Sequence, residues 1–214
     1  YAQKLRNAHV LVHFSERCAL IRDGAKAAAA AAGLTLVEDE GLVVENAGLT
    51  EWPVPMLGRF DPAFLDVPQE VIQLTARVNQ KYFVCHDSAG KLASAFVCTA
   101  NIDAHDNGAA IVAGNEKVLA ARLSDAKFFW ENDLRVARAG MTEWLDGLNA
   151  VTFHNKLGSQ SDRIARIAAL AREIAPLVGA DADLAEQAAR LAKADLRSAM
   201  VGEFPELQGL MGMY

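Results

Sequence analysis

The sequence predicts an α+β domain over residues 1–147 followed by an all-helical domain over residues 148–214. Three observations carry this reading. Two β-rich runs flank a turn-forming segment near residue 88, which makes a hairpin the centre of the first part. Ala is abundant while aromatics make up only 7% of the chain, which favours helices over further sheet. From about Gly147 onward every periodic segment reads as helix. An apolar content of 52% is ample for a core, and a charged content of 22% argues against disorder.

Taken in order, residues 8–14 (AHVLVHF) read as a short strand. Ser15 is a good N-cap for a helix from Glu16 to about Ala32, which Gly33 would stop. The Ala27–Ala32 run has a thin side-chain layer suited to close packing on a sheet. Leu34–Val37 reads as a strand, and Glu38–Glu45 as a short helix or strand. Gly48–Pro68, rich in Gly and Pro, is expected as an ordered loop or bent strand in which Trp52 is a packing plug. Gln69–Asn79 suits a helix. Lys81–Cys85 and Ala95–Ile102 are the clearest strands, joined by a turn in which Gly90 supplies positive φ. One long helix is expected over Ile111–Asp133 and a second piece over Leu134–Asp146.

The remainder is expected to hold helices alone. One spans Ser161–Val178, capped by Ser159 or Ser161. The other starts after Asp183, its expected cap, and runs through Leu184 to Gly202. Pro205 then forces a corner, with Phe204 buried where one helix ends against the next.

The net charge of −6 lacks the broad basic field of a general nucleic-acid binder, so any RNA contact must come from local patches. Cys18, Cys85 and Cys98 form no CxxC pair and their odd number gives no disulfide framework, which fits a reducing cytoplasm. No apolar run approaches a membrane span. The P-loop, Gly-x-Ser-x-Gly and Gly-x-Gly-x-x-Gly patterns are missing. His86-Asp87 and His105-Asp106 are doublets of the kind that HD-type metal phosphohydrolases use. Here the first falls in the hairpin turn and the second ahead of the long helix, where Asp106 or Asn107 can cap it. Asn155–Ser161 could receive a phosphate at a helix N-terminus, or be a capped turn with a solvated Lys156.

The segment MVGEFPELQG, with AKADL before it and MG-Y after it, resembles the beta chain of the bacterial two-subunit glycyl-tRNA synthetase. The resemblance continues upstream in order: Gly48–Pro53, Gln80–Phe83, Thr99–Ile102, Gly114–Leu119, Ala121–Leu123, Asp125-Ala126 and Lys156–Gly158. It covers nearly the whole chain. That family's beta chain is several times longer than one domain, so the chain reads as an internal piece, opening on Tyr1 rather than Met. The resemblance implies ATP- and Mg-dependent glycylation of tRNA by two alpha and two beta chains in the cytoplasm. The alpha chain would hold the adenylate-forming site and the beta chain would bind tRNA, with no cofactor and no metal in this piece. It also implies that the first part is like the tRNA-synthetase domain of the phenylalanyl enzyme's beta chain. The second part is then an HD-like helical domain with a degenerate metal set, in which only His154 and Asp195 stand near the ligand positions.

Under this reading no catalytic residue is expected here. Lys156, Arg163, Arg166, Arg190, Lys193 and Arg197 are the candidates to meet the tRNA backbone. Arg163 with Arg166, and Arg190 with Lys193 and Arg197, have spacings that would share a helix face. Asp195, flanked by Lys193 and Arg197, reads as an ion-pair partner or a helix-surface residue. Two alternatives stand beside this: an HD-type metal-dependent phosphohydrolase, and a helical interaction module with no RNA role.

Overall fold

In the computed structural model, which describes residues 1–214, the chain opens with helices α1 (Ala2–Asn7) and α2 (Phe14–Ala31). The strand expected over residues 8–14 does not form. Leu11 is buried and donates its amide to the Glu51 carbonyl at 2.9 Å, while Val12 beside it is exposed. One backbone bond without a neighbouring strand makes a connector, not a sheet. Helix α2 starts at Phe14, one residue before Ser15, with His13 at the N-cap position and no side-chain cap bond. Gly33 follows its end at φ +72°, as expected of a stop.

Strand β1 (Thr35–Leu36) precedes α3 (Glu40–Leu49), so the acidic stretch is a helix. Asp39 caps it by accepting from the Leu42 amide at 2.9 Å. β2 (Val54–Arg59) follows. It lies at a sheet edge, where Pro55 is tolerated because no ladder bond needs its missing amide. Trp52, expected as a packing plug, is half-buried: its indole donates to Asp103 at 2.8 Å and its ring meets His9 edge-on at 4.7 Å. Helix α4 (Gln69–Leu74) continues into one π-helical turn, Thr75–Asn79. The predicted hairpin is β3 (Phe83–His86) and β4 (Leu92–Ala100), and its turn uses the expected chemistry. Asp87 accepts from the amides of Ala89 and Lys91, and Gly90 has φ +74°.

The sheet runs β1-β3-β4-β2, antiparallel throughout. Phe83 stands opposite Val97 and Val84 opposite Phe96. One sheet face meets α2 and α3: Cys18, Ile21, Ala25 and Ala29 pack with Leu42, Val43, Ala47, Phe83, Cys85, Ala95 and Val97. The α2 positions recur at helical spacing, and their small side chains let the helix lie close.

The long helix α5 (Ala109–Arg138) is preceded by Asp106, which accepts from the Gly108 and Ala110 amides. The interruption expected at Asp133/Leu134 is not there. The helix runs on to Arg138 and breaks where Gly140 (φ +95°) and Met141 (φ +59°) turn left-handed. α6 (Thr142–Gly147) follows.

The chain divides into two compact units, residues 1–127 and 128–214. The composition shift near Gly147 falls inside the second of these. The reason is packing: Val136 of α5 and Trp144 of α6 share one small core with Ala194. The second unit is not helical alone. β5 (Thr152–His154) and β6 (Gly158–Ser159) form an antiparallel hairpin before α7 (Gln160–Ile174). α8 (Ala182–Leu191) is capped by Asp181 in place of the expected Asp183. The helix expected to reach Gly202 ends at Leu191. It gives way to a 3-10 turn (Ala194–Arg197) and then α9 (Ala199–Glu203). Pro205 opens the corner turn and Phe204 is buried, as expected. α10 (Leu210–Met213) closes the element order.

Asp195 is the largest correction. It is 2% exposed, and its Oδ2 accepts from the amides of Gly209 and Gly212. Asp133 plays the matching part from α5. It is 5% exposed and accepts from Ala199 at 2.9 Å and Met200 at 2.8 Å. These amides belong to the short helices around the corner, which leave their first N–H groups without intrahelical partners.

Candidate nucleic-acid interface in the helical unit

The β5–β6 hairpin of the second unit is an exposed structured segment, with residues 152–158 all exposed. Hydrogen bonds at its base tie it to α7. Ser159 accepts from the Asp162 amide, while the Asp162 carboxylate accepts from the Ser159 amide at 2.7 Å and hydroxyl at 2.9 Å. This is a capping box, which satisfies two orphan donors reciprocally. The Ser159 bonds hold the Asp162 carboxyl below the usual carboxylate range. The Gln160 amide donates to the Val151 carbonyl at 2.8 Å. The amides expected to receive a phosphate after Gly158 are therefore already engaged, and the carboxylate of Asp162 occupies the helix N-terminus. The capped turn is what forms.

Lys156 lies at the hairpin loop with its side chain exposed and in no ion pair. Its backbone amide donates to His154 Nδ1 at 3.1 Å. Arg163 sets its guanidinium carbon 4.4 Å from the centroid of the Phe153 ring. Arg166 donates to the Leu157 carbonyl at 3.2 Å. These three cations thus converge on one hairpin. The single acid between residues 152 and 166 is Asp162, whose Oδ2 is held by Ser159 and whose charge also acts on Arg166.

Arg190 of α8 and Arg172 of α7 are engaged by acids of α8. Arg190 pairs with Glu186 at 2.6 Å, and Arg172 pairs with Glu186 at 2.8 Å and Asp183 at 2.5 Å.

The family model for the glycyl-tRNA synthetase beta subunit matches residues 1–214. The chain belongs to that family.

A relative named glycine–tRNA ligase beta subunit from Paracoccus denitrificans is 60% identical over 214 residues. Relatives of the same name from a Ruegeria species and from Rhodospirillum centenum are 58% and 51% identical. All or nearly all of this chain is covered in each case, whereas the chain spans only about 31% of the Paracoccus and Ruegeria proteins and 30% of the Rhodospirillum protein.

Within this beta-subunit framework the six cations fall into two groups. Lys156, Arg163 and Arg166 come together at the hairpin. Arg190, Lys193 and Arg197 do not lie on one helix: Arg190 is on α8, Lys193 is in the turn after it, and Arg197 ends the 3-10 turn with its side chain over Gly147. The common-face argument for this second group fails because α8 stops between them.

His154 Nδ1 accepts from the Lys156 amide and Asp195 Oδ2 accepts from the amides of Gly209 and Gly212. Asp87 and Asp106 of the two doublets likewise accept from backbone amides. No group of three or more His, Cys, Asp or Glu side chains gathers at metal-binding distance. No helix is long and apolar enough to cross a membrane. Sequence reasoning missed Phe153, although an aromatic residue beside Asn155-Lys156-Leu157-Gly158 was a hairpin signal.

Proposed function

We propose that this chain works as part of a glycine–tRNA ligase beta chain and that its helical unit contacts tRNA. In that assembly the alpha chain carries ATP- and Mg-dependent glycine activation, two alpha and two beta chains act together in the cytoplasm, and this segment supplies binding and no catalytic group. An HD-like arrangement of the helical unit without metal chemistry fits the same reading. The observation that carries the tRNA contact is Lys156, an unpaired cation on an exposed hairpin beside Arg163 and Arg166, in a chain of net charge −6. Such side chains meet backbone phosphates without reading sequence.

The test is Lys156→Glu with Arg166→Glu in the full two-subunit enzyme. The Michaelis constant for tRNA should rise, and the salt slope of binding should fall by about one per lost phosphate contact. Glycine activation should stay at the parental rate. Arg190→Glu, Lys193→Glu and Arg197→Glu form the second set, expected to have the smaller effect because Arg190 is ion-paired. Parental kinetics and salt slope in both sets would place the RNA elsewhere.

One observation favours the interaction-module reading. Ile167, Leu170, Ile174 and Leu177 form an exposed apolar stripe at helical spacing along α7 and the turn after it. If Leu170→Lys in the full beta chain abolishes capture of the alpha chain while tRNA affinity is kept, that face serves assembly.

A further inference from the structure

The hairpin that presents Lys156 also presents an aromatic ring for which the charge argument has no use. Phe153, on β5, is 37% exposed. The Arg163 guanidinium, projecting from the first turn of α7, lies 4.4 Å from the ring centroid. At that distance the cation is attracted to the ring quadrupole, so the ring is held in place without being buried. Its neighbours His154, Asn155, Lys156 and Leu157 are exposed, and Oδ2 of Asp162 is taken by the Ser159 amide and hydroxyl. A fixed aromatic face among Lys156, Arg163 and Arg166, three cations against the one carboxylate of Asp162, is the chemistry that holds single-stranded nucleic acid. Bases stack on the ring while phosphates meet the cations.

We propose that Phe153 is a stacking platform for an unpaired base of the tRNA, with Arg163 fixing the ring and Lys156 meeting a neighbouring phosphate. This rests on the tRNA reading above and adds to it a nucleotide class, an unstacked base in place of duplex backbone alone. Arg163 is a positioning residue here, since it acts through the ring.

The test separates the two claims. Phe153→Leu keeps apolar bulk beneath Arg163 and removes the aromatic face. In the full two-subunit enzyme, tRNA affinity should fall about tenfold, within the range for one lost base stack. Its salt slope should match the parent, because no charge changes. Phe153→Trp should bind at least as tightly as the parent, and both variants should keep the parental melting temperature. Parental affinity in Phe153→Leu alongside weakened binding in Lys156→Glu overturns the platform and leaves the backbone reading standing. Parental affinity in both overturns the backbone reading as well. Equal losses in Phe153→Leu and Phe153→Trp would show that shape, and not stacking, matters, and this overturns the platform. So would loss of alpha-chain assembly with tRNA affinity intact, which assigns the ring to a protein contact.

Discussion

The two units solve the same problem with different materials. The first is organised by a sheet whose face is covered by α2 and α3, and its core is a continuous set of aliphatic and aromatic side chains. The second gathers Val136, Trp144 and Ala194 and relies besides on two buried carboxylates, Asp133 and Asp195, which each collect two backbone amides. The difference follows from element length. A sheet consumes its own amides in ladder bonds, whereas short helices such as α9 and α10 leave theirs open. Where helices are this short, acceptors must be imported from distant parts of the chain.

The comparison can be broken at its strongest point first. Phe96, fully buried on β4, should cost roughly 3–5 kcal/mol when changed to Ala, the range for an aromatic removed from a core. In the second unit Asp133→Ala should approach that, at about 2–4 kcal/mol, because two buried amides each lose their acceptor. Denaturant unfolding of both variants checks the pair. A loss near zero for Asp133→Ala would mean that the corner is held by packing alone.

A pH series sharpens the same contrast. Burial pushes the Asp133 carboxyl above its usual value, against the bonds from Met200, Ala199 and Ser198. The folded state then holds that proton more tightly than the unfolded chain. Its contribution is full below the ordinary pKa of 3.8 and is lost as pH rises through the raised value. Asp162 runs the other way: its folded value is lowered, so its contribution is present above 3.8 and lost as pH falls through the lowered value. Asp133→Asn should remove the first limb from the stability profile and Asp162→Asn the second, read from melting temperatures across the acid range.

A smaller effect is expected at the helix cap. Ser159→Ala should cost about 1 kcal/mol, the usual worth of an N-cap. The smallest perturbation concerns the first unit's thiols. Burial pushes Cys85 and Cys98 up to about 11, so a thiol reagent near neutral pH should leave both unmodified until the protein unfolds. Rapid labelling of the native protein would show that the sheet opens locally.

What the sequence made legible was local. The β3–β4 hairpin could be read from Asp87 and Gly90, and the end of α2 from Gly33, because turn chemistry is settled within a few residues. What it hid was non-local. Asp195 was judged by Lys193 and Arg197 on a helix assumed to be continuous, but its partners are Gly209 and Gly212. Asp133 looked like a place to end a helix, and its role is fixed by Ala199 and Met200. The AHVLVHF run has strand composition and no strand to pair with. At the candidate interface the cations were visible as residue types. Their grouping was not, since it depends on where α8 ends and on a hairpin too short to show a period.

The capping box gives the exposed hairpin an unusual exchange behaviour. Loop amides at this exposure ordinarily trade their hydrogens with water quickly. The Ser159 amide is instead held by Asp162 and the Gln160 amide by Val151. Both should exchange slowly, at the pace at which the first turn of α7 frays. The base of the hairpin is thereby tied to the first turn of α7, and the two should open together.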